Sequence, residues 1–134
     1  MAALTIDASA AVTVALDTAG HRSTYDRLVG ADAVYAPTLF VTETANALWK
    51  YVNAKHMEEE SALRLHRETT AMIDRLLDDI GLFPEALALA ARLHHPVYDT
   101  VYLVVARRTE SALITFDKKL AQHARKLEIE VVGQ

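Results

Sequence analysis

Along the chain, short apolar runs alternate with longer stretches whose apolar positions recur every three or four residues. Residues 3–7 (ALTID) read as a strand. Ser9 stands just ahead of Ala10, Ala11 and Val14 and predicts a helix to about Leu16. Residues 21–29 predict a second helix with Gly30 as its stop. Residues 33–36 (AVYA) predict a second strand, ended by Pro37. Thr38 is placed to cap a long helix to about His56, with Leu39, Val41, Ala45, Leu48, Trp49 and Val52 at helical spacing. Residues 58–79 continue helical, with Leu63, Met72, Ile73, Leu76 and Leu77 among many charges. Residues 80–83 are the third strand candidate, and Pro84 suits the first turn of a helix over 85–93. A strongly apolar helix over 97–108, a strand over 112–115, a helix over 118–126 and a strand over 129–132 complete the pattern.

Strands separated by helices need crossover connections. The pattern therefore predicts a doubly wound α/β fold with a parallel sheet of four or five strands. The two helices between 38 and 79 form a hairpin inserted between strands. No repeat, low-complexity tract or shift in composition divides residues 1–134, which read as one domain.

Composition then narrows the function classes. With 51% hydrophobic and 24% charged residues, the chain can bury one core and is not expected to be disordered. Absence of cysteine excludes disulfides, zinc–thiolate sites and thiol nucleophiles, and fits a reducing cytoplasm. The longest apolar runs, 101–106 and 86–91, fall far short of a membrane span. Residues 1–10 lack the basic start of a secretory signal. A net charge of −4 argues against a broad basic surface for nucleic acid.

Four acids stand out by position. Asp7 ends the first strand and Asp117 lies just past the fourth, so both belong to the sheet edge where open α/β folds bind ligands. Each also suits a helix N-cap. Glu43 interrupts the long helix between Val41 and Ala45, and Asp99 sits among Val97, Tyr98, Val101 and Tyr102. Acids on buried-looking helices need a partner or a cation. For Glu43 the structural alternative is a salt bridge to Lys50 or a nearby Arg; for Asp99 it is an N-cap role. Asn46 and Lys50 share the helix face of Glu43. Two like charges at ~4 Å cost on the order of 4 kcal/mol at an effective dielectric of ~20, so a cluster needs protons or a divalent ion. Carboxylate oxygens without cysteine point to Mg²⁺ or Mn²⁺. The six histidines offer no competing zinc site. His94 and His95 are adjacent, His56 and His66 are ten apart, and solvated histidine is the default.

Together these residues resemble a PIN domain, specifically a VapC-type ribonuclease toxin. Four motifs carry the resemblance, which spans essentially the whole chain: Asp7-Ala8-Ser9; Thr42-Glu43-Thr44-Ala45-Asn46; Tyr98-Asp99-Thr100-Val101-Tyr102; and Thr115-Phe116-Asp117 followed by Lys118-Lys119-Leu120. The resemblance implies a three-layer α/β/α sandwich with a metal site of Asp7, Glu43, Asp99 and Asp117. It implies that Ser9 and Thr115 orient acids or waters, and that Asn46 matches a polar residue one turn after the glutamate. It further implies metal-assisted hydrolysis of RNA phosphodiesters, a VapB-like antitoxin partner and a homodimer. Some members carry another acid shortly after the position of Asp117. Here Lys118 and Lys119 follow, which favours one tightly held ion with a second recruited alongside substrate.

Lys118 and Lys119 beside Asp117, Arg107 and Arg108 at the end of the apolar helix, and Lys50 near Glu43 are candidate phosphate contacts. Trp49, Tyr51 and Tyr35 are candidates for an interface, with Trp49 read first as core. A receiver-like regulatory module would need an adjacent acid pair after the first strand, where Asp7 stands alone. A non-catalytic PIN-like binding domain is opposed by the intact acid set.

Overall fold

The five strands of this computed structural model form one parallel sheet in the order β3-β2-β1-β4-β5. The structure describes residues 3–133. Strand β1 is Ala3–Ile6, β2 Ala33–Pro37, β3 Arg75–Leu77, β4 Ala112–Ile114 and β5 Val131–Val132. Leu4, Thr5 and Ile6 are all buried, as the central strand of a sheet covered on both faces requires. Leu4 pairs with Val34 on one side, and Thr5 pairs with Leu113 on the other.

Helices connect the strands: α1 (Ala8–Leu16), α2 (Arg22–Gly30), α3 (Leu39–Asn53), α4 (Glu59–Ala71), α5 (Phe83–Leu93), α6 (Val97–Arg108) and α7 (Lys118–Lys126). Right-handed crossovers place α1 to α4 on one face of the sheet. The return to β4 and β5 places α5 to α7 on the other. The packing agrees, with α1 against α3 and α4, and α6 against α5, α7 and the sheet. The result is the expected α/β/α sandwich. Its strand order differs from the 2-1-3-4-5 order of receiver-like folds, which removes that reading.

Helix α6 is the innermost helix. Thr100 to Ala106 are buried without interruption, and the Thr100 hydroxyl donates to the Ala86 carbonyl at 2.8 Å, tying α6 to α5. A smaller apolar cluster of Val12, Leu48 and Leu65 fixes the α3–α4 hairpin onto α1.

The third strand is Arg75–Leu77 rather than 80–83, and the helix expected to reach 79 stops at Ala71. The Asp78 side chain accepts from the Ile80 amide and turns the chain into a short 3-10 segment, Asp79–Gly81. Leu82 is then buried at the entrance to α5. Three edge residues carry too little alternation to distinguish strand from helix. Trp49 is 56% exposed, not core, because Leu48 takes the inward position on α3.

Candidate metal centre

The sheet order reverses between β1 and β4, and the acids gather where these two strands end. Asp7 follows β1 and caps α1, its Oδ1 accepting from the Ala10 amide at 2.8 Å. Asp117 caps α7, its Oδ1 accepting from the Lys119 and Leu120 amides at 2.9 and 3.0 Å. Thr115 joins the two. Its hydroxyl donates to Asp7 Oδ2 at 2.5 Å and accepts from the Asp117 amide at 3.1 Å.

Asp99 stands in the first turn of α6, where His95 Nε2 donates to its Oδ2 at 2.9 Å. Glu43 reaches in from α3, and the Tyr102 hydroxyl of α6 donates to its Oε1 at 2.6 Å. The Ala8 backbone in turn bonds the Tyr102 hydroxyl, so one phenol ties α3, α6 and α1 together. Each acid thus has a hydrogen-bond donor of its own. Among the described residues these bonds leave unused Oδ1 of Asp99, Oδ2 of Asp117 and Oε2 of Glu43.

The four acids share one electrostatic field. Burial raises Asp7 from an ordinary 3.8 to about 6, against the lowering bonds from Thr115 and Ala10, and Asp99 and Asp117 add repulsion. Burial also raises Glu43, with Asp99 and Asp7 repelling it. Asp99 is raised by burial and by Asp117, although His95 pulls the other way. Asp7, Glu43 and Asp99, buried or partly buried and each holding its proton more tightly than usual beside like charges, fit a site for a cation. The donor set suits a hard one: carboxylate oxygens and no thiol, with the His95 imidazole bonded to Asp99 behind them. Ligand atoms of His95, Asp99 and Asp117 lie within 4.8 Å of one another.

Beside this cluster runs an open groove of about 830 Å³. Ser9, Glu43, Asn46, Lys50, Tyr51 and Tyr98 are among its lining residues. It borders the acids through Glu43. Lys118 and Lys119 are exposed on the first turn of α7 next to Asp117.

Arg107 and Arg108 are not brought to the acids. They end α6, some eight residues or about 12 Å of helix beyond Asp99, and both bind Glu85, at 2.5 and 3.2 Å. The direction of α6 separates them from Asp99.

His95 departs from the solvated default: it is 8% exposed and bound to Asp99. His95 lies outside the four motifs, and Tyr102, although it ends the third, carries no site role there. The available signals are His95 four positions before Asp99, and a tyrosine hydroxyl inside a continuous apolar run, which needs a partner once buried.

The PIN domain family model matches residues 4–126 of this chain. Ribonuclease VapC3 of Pyrobaculum aerophilum is 26% identical over 121 residues, which cover 89% of this chain and 92% of the relative. The fold also matches the crystal structure of PAE2754 from Pyrobaculum aerophilum, with a TM-score of 0.77 and 23% identity. That match covers 97% of this chain and 83% of the other.

Proposed function

Because the chain belongs to the PIN domain family, we propose that it is a divalent-metal-dependent endoribonuclease and the toxin of a VapBC-type pair. The observation that supports this reading is the mutual repulsion linking Asp7, Glu43, Asp99 and Asp117, which come from four separate segments and each have a donor of their own. The similarity to a protein named Ribonuclease VapC3 supports RNA as substrate. One parallel sheet through the described residues, with the centre drawing on its strand ends and on helices of both layers, supports reading residues 1–134 as a single nuclease domain.

Asp7, Asp99 and Asp117 would hold one Mg²⁺ or Mn²⁺, with Glu43 beside them. When bound, that ion supplies Lewis acidity and neutralises charge at the scissile phosphate. The chain's own residues do the rest. Thr115 fixes the Asp7 carboxylate, and the two helix-start amides fix Asp117. Glu43, held by Tyr102 at the groove edge, would orient the attacking water and take its proton as the phosphorus bond to the departing ribose oxygen breaks, that oxygen taking a proton from solvent. Ser9 and Asn46 add polar contacts along the groove, while Lys50, Lys118 and Lys119 receive backbone phosphates.

The groove also fits the tail of a VapB-like antitoxin. Leu39, Ala47 and Tyr51 supply apolar lining, and Glu43 at the edge suits an arginine. Exposed Ile80, Phe83 and Leu87 around the start of α5 supply a face for homodimerisation. Among the described residues no helix is long and apolar enough to cross a membrane, and absence of cysteine supports a cytoplasmic setting.

The deciding experiment incubates the purified chain with structured RNAs in Mg²⁺, in Mn²⁺ and in chelator, beside Asp7→Asn and Asp99→Asn. Cleavage should require metal and disappear in both variants while their melting transitions persist. Wild-type cleavage rates in either variant, or full activity in chelator, would refute the reading. Co-purification of a small protein encoded next door tests the antitoxin, and light scattering on the eluted chain tests the dimer.

A further inference from the structure

His95 is placed with unusual care for a residue between two helices. His94, in the left-handed region at φ 54°, ends α5. The His95 amide donates to the Ala90 carbonyl at 3.2 Å, and Pro96 follows at once as the cap of α6. The imidazole is buried, with His123 of α7 edge-on against it at a centroid distance of 5.2 Å and 78° between planes. Backbone and ring are therefore held from α5, α6 and α7 together. Among the described residues the ring makes one hydrogen bond, from Nε2 to Oδ2 of Asp99.

Asp99 needs such a hold. It is half-buried, repelled by Asp117, and carried on a helix turn that gives its carboxylate no backbone amide. Asp7 and Asp117 are oriented by amides of the helices they cap, whereas Asp99 is not a cap. A side-chain donor is what remains to fix its rotation.

We propose that His95 is a positioning residue that locks the Asp99 carboxylate, through the Nε2–Oδ2 bond, in the orientation that presents Oδ1 to a divalent cation. His95 acts through Asp99 and does not itself ligate the ion. This rests on the metal-centre reading above. Donors behind a metal ligand are commonly worth 10–100-fold in metal affinity.

The test is Mn²⁺ binding to the metal-free protein, followed by loss of the free-ion electron paramagnetic resonance signal, with melting curves in chelator as the check on folding. His95→Phe keeps a ring against His123 but has no donor. His95→Gln places an amide nitrogen near the position of Nε2 but has no ring. The expected result is a 10–100-fold loss of Mn²⁺ affinity for the phenylalanine variant and retention within about threefold for the glutamine variant. In wild-type protein the bound Mn²⁺ should show no nitrogen coupling. Unchanged affinity in His95→Phe overturns the role. If that variant unfolds, a loss of about 10-fold or more in folded His95→Gln overturns it. Nitrogen coupling that His95→Phe removes overturns it too, making His95 a direct ligand while leaving the metal centre intact. Failure of wild-type protein to bind Mn²⁺ at all would instead bring down the metal centre, and this role with it.

Discussion

The Tyr102 hydroxyl donates to Glu43 Oε1 at 2.6 Å, a bond between helices on opposite faces of the sheet. Tyr102 is 1% exposed, so the hydroxyl has little access to water as a substitute. Tyr102→Phe keeps the ring and its packing but leaves Glu43 without its donor. Nuclease turnover is expected to fall 10–100-fold, the range for loss of a supporting hydrogen bond. Stability should fall by about 1.5–3 kcal/mol, as for a bond to a charged group. Turnover assays and urea melts on the same preparation check both.

Asp7 makes stability depend on pH in a stated direction. Its folded value of about 6 lies above the ordinary 3.8, so the folded chain holds the proton more tightly than the unfolded one. The stability this contributes is full below pH 3.8 and is lost as pH rises through about 6. The whole change amounts to roughly 3 kcal/mol. In chelator, Asp7→Asn should therefore melt above wild type at pH 7.5, and the difference should shrink towards pH 5. Calorimetry at the two pH values checks this. A pH-independent difference would mean the Asp7 carboxylate is not held in its protonated form.

Divalent metal should reverse that penalty. At pH 7.5, Mn²⁺ at a hundred times its dissociation constant is expected to stabilise the wild-type fold by about 2.7 kcal/mol. The gain should diminish near pH 5, where Asp7 holds its proton and Glu43 and Asp99 are shifted the same way. The Asp7→Asn chain should gain much less at either pH. Thermal shifts with and without Mn²⁺ supply the measurement.

The two basic pairs should behave differently towards RNA. Lys118→Ala with Lys119→Ala is expected to weaken RNA binding and to reduce its dependence on salt by roughly 0.7 in slope for each lost contact. Arg107→Ala with Arg108→Ala should leave RNA binding within about twofold. Its effect belongs to stability, through loss of the Glu85 contacts, and should stay within about 1 kcal/mol because the groups are partly exposed. Binding curves at several salt concentrations separate the pairs.

Much of this architecture is legible locally. Asp7 and Asp117 stand at strand ends and open helices, so their placement follows from short-range chain geometry. Glu43 and Asp99 attract notice because each interrupts an apolar helix. What escapes is relational. Arg107 shares a helix with Asp99, and the axis of α6 carries it away from the site. Tyr102 looks like core until the partner 59 positions earlier is known. His95 gains its role from three helices meeting, which no spacing rule encodes. Strand β3 is three residues at an edge, defined by pairing with β2 rather than by its own pattern.

The α3–α4 hairpin leaves the sheet after β2 and rejoins it at β3, bearing Glu43 near its base and Lys50, Tyr51 and His56 towards its tip. Its attachment to the body runs through Val12, Leu48 and Leu65, all below that tip. The arm is in effect an interchangeable jaw. Turns added or trimmed at its far end would reshape the groove while leaving the carboxylates at its root in place, so what is admitted and what lies at the floor can vary separately.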